Sequence, residues 1–248
     1  MTGRISLAFA AIAAIAAPNA HAGSISVTYF LDAGGGNTEA LNGLEAMATF
    51  EVVGTQMTIL LENTSDDIPM GFDGAASLLV SLGMNLPDAV LIVSGDTAVI
   101  GPGSEGLGTW AGRVAGDSVA EQWGWTNDQG GDLLGASHQV ITTSEGSHDL
   151  TLFGGGEAWI NGPSGGIAAK PPTYPLNDNF KAVSDSILFT LKLSATLTNE
   201  QLEAVANESI VEFGSDARYL ATRVPEPATA ALLGFSLLFA GRRRIGAL

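Results

Sequence analysis

Residues 187–197 have the sequence ILFTLKLSATL, in which apolar and polar residues alternate. Every second residue is apolar, in the order Ile187, Phe189, Leu191, Leu193, Ala195 and Leu197. A period of two places these side chains on one face of a β-strand. The stretch therefore predicts a strand with one buried face, and it is the clearest strand in the sequence.

Other stretches predict a series of short strands joined by turns. Residues 48–53 and 56–62 flank Gly54 and Thr55, which is the pattern of a β-hairpin. Residues 139–143 and 148–153 flank Ser144, Glu145 and Gly146 and predict a second hairpin. Further strands are predicted at residues 24–31, 78–82, 89–93, 97–100 and 210–213. Residues 101–135 and 154–175 are rich in glycine and predict long loops.

One short helix is predicted among these strands. Thr198 and Gln201 have the spacing of a capping box in front of residues 202–206. Many short strands, one helix and 32 glycines favour an all-β fold, a mostly antiparallel β-sandwich of jelly-roll type in one domain. A solenoid is the alternative, but the sequence has no fixed repeat period.

The amino terminus has the pattern of a secretory signal peptide, residues 1–22. Arg4 precedes an apolar stretch at residues 5–17, and Pro18 ends it. Small residues at Ala20 and Ala22 flank His21 and predict cleavage in front of Gly23. We therefore expect export through the Sec translocon, with an uncleaved anchor as the alternative.

The carboxyl terminus, VPEPATAALLGFSLLFAGRRRIGAL at residues 224–248, has three parts in sequence. The first is a stiff extended tetrapeptide, because each proline fixes its own φ and restricts the residue before it: Val224, Pro225, Glu226 and Pro227. Residues 228–241 are free of charge and apolar. The third part is a basic cluster of the kind that stays on the cytoplasmic side of a membrane: Arg242, Arg243 and Arg244.

This tail resembles the PEP-CTERM sorting signal of exported bacterial proteins, also labelled the ice-binding protein C-terminal domain. The resemblance covers residues 224–244, under a tenth of the chain. It implies transient insertion in the inner membrane, cleavage near the Pro-Glu-Pro motif by an exosortase-type enzyme, and delivery to the cell surface or the extracellular space. The domains expected are a signal peptide at 1–22, a β-sandwich body at 23–223 and the sorting signal at 224–248.

Two other interpretations of the tail remain open. Fourteen residues at 228–241 form a helix of about 21 Å, which is shorter than a hydrocarbon core of about 30 Å. So short a span suits a segment that is held briefly and then cut, but a permanent anchor is an alternative. A buried helix fits less well, because the segment is apolar on all sides and ends in three charges.

Composition excludes several classes of function. The chain has no cysteine, which rules out disulfides, thiol chemistry and cysteine-ligated metals. Four of the ten basic residues lie in the segments expected to be removed, which leaves six against 26 acidic residues and a net charge near −20. Such a surface repels nucleic acid, so nucleic-acid binding is excluded.

Residues with catalytic chemistry are few. His138 and His148 are predicted on neighbouring strands, with Asp149 adjacent. A Ser-His-Asp triad needs a specific geometry, so two exposed histidines are the simpler interpretation. No cofactor is expected; a structural calcium ion held by acidic side chains is a weaker hypothesis, because these residues lie in no recognised calcium loop: Asp66, Asp67 and Asp73.

Trp123 and Trp125 are the most informative pair of side chains. On a strand, residues two apart point the same way, and here the neighbours are polar: Glu121, Gln122, Asn127 and Asp128. Exposed indoles in such surroundings could stack on sugar rings, whereas buried indoles would fill the core. A contact of both tryptophans with polysaccharide is the hypothesis. Ice binding is not expected, because the sequence has no regular Thr-x-Thr spacing.

The sequence therefore predicts a non-enzymatic exported protein of the cell surface or extracellular matrix, in contact with exopolysaccharide. The alternatives are a secreted glycan or ester hydrolase and a permanently membrane-anchored periplasmic protein.

Overall fold

A computed structural model describes residues 21–30, 43–66, 74–127, 139–143, 150–156, 160, 162–170, 180–214 and 218–222. The predicted signal peptide up to Ala20 and the whole tail from residue 223 lie outside these residues. Cleavage, the sorting motif and the arginine cluster therefore stay predictions. The position predicted for cleavage falls near the start of the first strand, which begins at His21.

The described residues form strands, one α-helix and one short 3-10 helix. The first seven strands are β1 (His21–Phe30), β2 (Ala46–Val53), β3 (Gln56–Asn63), β4 (Leu79–Met84), β5 (Ile92–Ile100), β6 (Glu105–Gly108) and β7 (Gly124–Thr126). The others are β8 (Gln139–Thr142), β9 (Thr151–Leu152), β10 (Ile167–Ala168), β11 (Lys181–Ser184), β12 (Ser186–Leu193), β13 (Ile210–Phe213) and β14 (Arg218–Thr222). The α-helix, α1, spans Asn199–Asn207, and the 3-10 helix spans Ala120–Gln122.

All fourteen strands belong to one sheet. Its order runs β5-β12-β3-β2-β1-β14-β13-β4, and the sheet then branches. One branch continues through β10 and β11 to β6, and the other through β8 and β7 to β9. Among the described pairs only β10 and β11 run parallel, so the predicted all-β, mostly antiparallel fold with one short helix is confirmed.

Strand β12 has the buried face that its alternating sequence predicts. Ile187, Phe189, Leu191 and Leu193 are buried, while Lys192 is exposed. The strand ends at Leu193, four residues before the end of the predicted stretch. It stops there because its neighbours stop too: Lys192 pairs with the first residue of β3, and Leu193 pairs with the first residue of β5.

The sheet folds over one main core, with a smaller apolar cluster around Leu78 and Val80, so that its two ends come together as in a β-sandwich. Phe189 of β12 lies near one end of the strand order. Its ring is 4.8 Å from that of Trp123 and 5.3 Å from that of Phe153, which flank the strands at the other end. The core is continuous across strands and helix, and includes Phe50, Ile59, Phe189, Val211 and Leu202.

Helix α1 begins at the predicted capping box. The Thr198 hydroxyl accepts a hydrogen bond from Gln201 N at 3.2 Å, and Gln201 Oε1 accepts one from Thr198 N at 2.9 Å. The two bonds satisfy donors that the first turn of a helix leaves open. The helix packs Leu202, Val205 and Ala206 onto β1 and β2. No helix within the described ranges combines the length and apolar character needed to cross a membrane.

Two predictions of strand organisation are wrong. The proposed hairpin of residues 139–143 with 148–153 does not form, because β7 lies between β8 and β9 and pairs with both. Of the strand proposed at 89–93 only residues 92 and 93 are in a strand, and they form one strand, β5, with the residues proposed at 97–100. Ser94, Gly95 and Asp96 resemble a turn in the sequence, but they lie inside that strand at a change of register.

Candidate functional site

The candidate site lies at the seam where β5, at one end of the sheet, meets β7 and β9 at the other. Gly154 N, just after β9, donates a hydrogen bond to Gly95 O at 2.8 Å. Asn127, just after β7, bonds to Ile92 through its side-chain amide. The seam therefore brings together residues more than thirty positions apart, which no local sequence pattern could place side by side.

The rest of the outer edge of β5 is bonded to the segment that follows β6. Ile100 O accepts a hydrogen bond from Gly116 N and Ile100 N donates one to Asp117 O, both at 2.9 Å. Val119 N donates to Ala98 O at the same distance. These hydrogen bonds hold the edge of β5 from Ala98 to Ile100. The groove lies further along the same strand, at residues 93–96.

Strand β5 is irregular where it borders this groove. In its pairing with β12 the register shifts twice, so that Val93 and Asp96 have no residue opposite them. Extra residues of this kind are β-bulges, which bend a strand and redirect side chains, and they are common beside functional sites. Here both bulged residues line the groove.

The groove has a volume of about 510 Å³. Its lining combines one aromatic ring with apolar, hydroxyl, carboxylate and glycine groups: Val93, Ser94, Gly95, Asp96, Trp125, Thr151, Leu152, Gly154 and Gly155. Among these described lining residues no side chain is cationic. A mixture of apolar surface with a few convergent polar groups is the usual chemistry of a small-molecule site.

Trp125 provides the aromatic surface. The side chain is partly buried and packs against the core, and it also lines the groove. A Cβ atom on Gly95 would lie 2.6 Å from Trp125 Cδ1 and 2.7 Å from Nε1. Only glycine permits the indole to approach β5 so closely.

The same contact leaves a polar atom unsatisfied. Trp125 Nε1 is buried and has no hydrogen-bond partner within the described part of the chain. A buried donor without a partner costs free energy, so such atoms are rare and often mark a functional position. In this protein that atom lies beneath the groove.

A carboxylate lines the same groove as the indole. The Ser94 hydroxyl donates a hydrogen bond to Asp96 Oδ1 at 2.6 Å, which orients the carboxylate of the exposed Asp96. Val93 is 53% exposed and adds an apolar wall. The groove therefore offers a flat apolar surface, hydroxyls and one fixed negative charge.

Trp123 does not share this site. Its side chain is fully buried, its ring packs edge-on against Phe189, and its Nε1 donates to Gly165 O at 3.0 Å. The predicted sugar contact through Trp123 is corrected accordingly, since packing against the core removes the indole from any outside ligand. A sugar contact through Trp125 stays a prediction.

Most of the other predicted site residues lie outside the described part of the chain. His138, His148 and Asp149 lie outside the described residues, as do Asp67 and Asp73. Asp66 is exposed, and no group of three or more His, Cys, Asp or Glu side chains in the described ranges could hold a metal ion. The calcium and hydrolase hypotheses therefore stay untested.

A pair of carboxylates that the sequence did not single out lies where β3, which carries Glu62, meets Asp185 in the turn between β11 and β12. Burial raises the pKa of Glu62 above its usual value, and the negative charge of Asp185 adds to the rise. Asp185 occupies this tight turn with a φ of 79°, a conformation that Asp tolerates better than most residues. Nothing in the sequence reveals the pair, because strand pairing brings these residues together.

Comparison with known proteins finds no match for this chain among family models, curated proteins or solved structures. The resemblance of the tail to a sorting signal is neither supported nor contradicted by that result.

Proposed function

We propose that this chain is a non-enzymatic exported protein of the cell surface or extracellular matrix that holds polysaccharide in the groove at the seam. The observation that carries the binding part of the proposal is the position of Trp125, a partly exposed indole set in a groove with hydroxyl and carboxylate neighbours.

The chemistry of a sugar ring matches this lining. A pyranose has C–H faces that pack on an aromatic ring, and its rim carries hydroxyls that need hydrogen-bond partners. Trp125 supplies the flat surface, and Ser94, Asp96 and Thr151 supply donors and acceptors at its border. A groove open at the surface suits one unit of a long polymer better than a small enclosed ligand.

Export is supported by the two ends of the sequence. Residues 1–22 have the pattern of a signal peptide. Residues 224–244 have the Pro-Glu-Pro, apolar and arginine segments of a sorting signal, which also indicates export. On this proposal the inner membrane holds the tail only until an exosortase-type enzyme cuts near Glu226. The acidic body then leaves as a soluble molecule.

Intact mass of the protein recovered outside the cells tests the export part. We expect a species that begins at Gly23 and ends near Pro225 or Pro227. A protein retained in the membrane with residues 228–248 still attached would favour the permanent anchor instead.

Binding to isolated extracellular polysaccharide tests the groove. Trp125→Ala should weaken retention about two- to tenfold, since an aromatic contact contributes about 0.5–1.5 kcal/mol and 1.4 kcal/mol is tenfold in affinity. Val114→Ala is the matched control, because Val114 is an exposed apolar side chain that does not line the groove. Equal retention of wild type and Trp125→Ala, with both folded, would contradict the proposal.

A further inference from the structure

We infer that the groove selects glycans that carry protonated amino groups, in preference to their N-acetylated forms, and rejects polymers of uronic acid. This inference rests on the proposed function and names the class of sugar that the same site takes.

Asp96 is the source of the selectivity. It is the one ionisable side chain among the described residues that line the groove. Its position as the extra residue of a bulge and its hydrogen bond from Ser94 to Oδ1 hold it at the border of the groove. A carboxylate has acceptor sites left after one such bond, and an ammonium group is the partner that satisfies them most strongly.

Within the described part of the chain, no cationic side chain is paired with the carboxylate of Asp96. Lys192 stands opposite Ser94 in the pairing of β5 with β12, but it does not line the groove. The negative charge therefore remains available to a ligand.

The whole chain favours the same choice of ligand. Its net charge is −16, and it is closer to −20 without the terminal segments that carry four arginines. A uronate polymer meets long-range repulsion before it reaches the groove, whereas an amino-bearing glycan is attracted. The net charge of the chain and the chemistry of the groove thus both favour amino-bearing polysaccharides.

The aromatic and acidic groups line the same groove. Trp125 contacts β5 at Gly95, and Asp96 is the next residue of that strand. Both side chains line the groove, so a sugar held on the indole shares the groove with the carboxylate. An amine on that ring, or on the linkage next to it, comes within reach of the carboxylate. An acetyl group on the same nitrogen removes the charge and with it the strongest of these contacts.

Three oligosaccharides of equal length test the inference: a glucosamine oligomer, its N-acetylated counterpart and an oligogalacturonate. Binding to the secreted protein is measured in a weakly acidic buffer that keeps the amines protonated. Wild type should bind the glucosamine oligomer about five- to tenfold more tightly than the acetylated oligomer, and the uronate weakest. Added salt should reduce the preference for the glucosamine oligomer over the acetylated oligomer.

Asp96→Asn should abolish that preference and leave affinity for the acetylated oligomer within about twofold, because the amide keeps the shape and loses the charge. Glu51→Gln is the matched control, since it changes the net charge equally at an exposed residue of β2 that does not line the groove. It should retain the wild-type preference.

The two proposals fail in different ways. If wild type binds both amino and acetylated forms equally, or if Asp96→Asn keeps the preference, the selectivity is overturned while glycan binding stands. A preference that survives in Asp96→Asn would show only the attraction of an acidic protein for a polycation. If no oligomer binds to folded wild type and the isolated polysaccharide is not retained either, both proposals are overturned.

Discussion

Asn127 and Ile92 form a matched pair of hydrogen bonds across the seam. Ile92 N donates to Asn127 Oδ1 at 2.9 Å, and Asn127 Nδ2 donates to Ile92 O at 2.8 Å. A residue on a neighbouring strand would offer the same donor and acceptor through its backbone. The side chain thus takes the place of a strand residue opposite Ile92, and it ties the segment after β7 to β5 next to the groove.

Asn127→Asp should destabilise the protein by about 1–3 kcal/mol. The carboxylate keeps an acceptor for Ile92 N but cannot donate to Ile92 O, whose residue is only 2% exposed. Urea unfolding gives the free energy, with the exposed Glu51→Gln as a control that should change it by less than about 0.5 kcal/mol. An unchanged midpoint in Asn127→Asp would show that the side-chain pair does not hold the seam.

Gly95→Ala should displace the indole of Trp125. The new methyl group would lie 2.6 Å from Trp125 Cδ1 and 2.9 Å from Phe153 Cδ1, and overpacking of this kind costs about 1–3 kcal/mol. Because both costs arise from one contact, Gly95→Ala combined with Trp125→Ala should cost less than the sum of the single variants. Strict additivity in urea unfolding would contradict the close contact.

Glu62→Gln should stabilise the protein at neutral pH relative to wild type. Burial and then the charge of Asp185 raise the pKa of Glu62 above its ordinary value of 4.5, so folding favours the protonated form. The contribution is fully present below the unfolded-state pKa and is lost as pH rises through the folded one. The difference between variant and wild type should therefore grow above pH 4.5 and then level off.

The size of this difference is about 1 kcal/mol or less, because solvent still screens a carboxyl that is only partly buried. Thermal unfolding across a pH series measures it. Asp185→Asn should give part of the same gain, since it removes the charge and Asn accepts the positive φ of that turn. If the stability difference between Glu62→Gln and wild type shrank with rising pH, the pKa of Glu62 would not be raised in the folded protein.

Trp123→Ala should destabilise the fold by about 3–5 kcal/mol, the usual cost of removing a large buried aromatic ring. The loss includes the hydrogen bond to Gly165 O and the packing on Phe189. Any fall in glycan binding should follow the unfolded fraction, whereas Trp125→Ala should lose binding while folded. Full stability of Trp123→Ala would contradict its place in the core.

Local patterns predicted the parts of the fold that depend on nearby residues. The hairpin of β2 and β3 forms around Gly54 with a φ of 61°, and Val53 pairs with Gln56 as the spacing requires. The Thr198 capping box is equally local. Both signals succeed because the interacting groups are only a few residues apart.

Local sequence patterns failed at the groove, because its strands pair with residues that are far away in the sequence. Ser94, Gly95 and Asp96 favour a turn by composition, yet β12 extends β5 through them with two bulges. The three residues of β7 are too short for any periodic pattern, so their place between β8 and β9 could not be predicted. The seam that positions Trp125 exists only in the folded chain.

The covered outer edge of β5 also bears on behaviour at high concentration. An open edge strand can recruit a strand from another molecule and start aggregation. Gly116, Asp117 and Val119 occupy the hydrogen-bonding groups at one end of this edge, while Asn127 and Gly154 occupy those nearer the other. If the proposed export and polysaccharide binding hold, molecules crowded outside the cell stay separate along this edge and attach to their surroundings through sugar, not through strand-to-strand stacking.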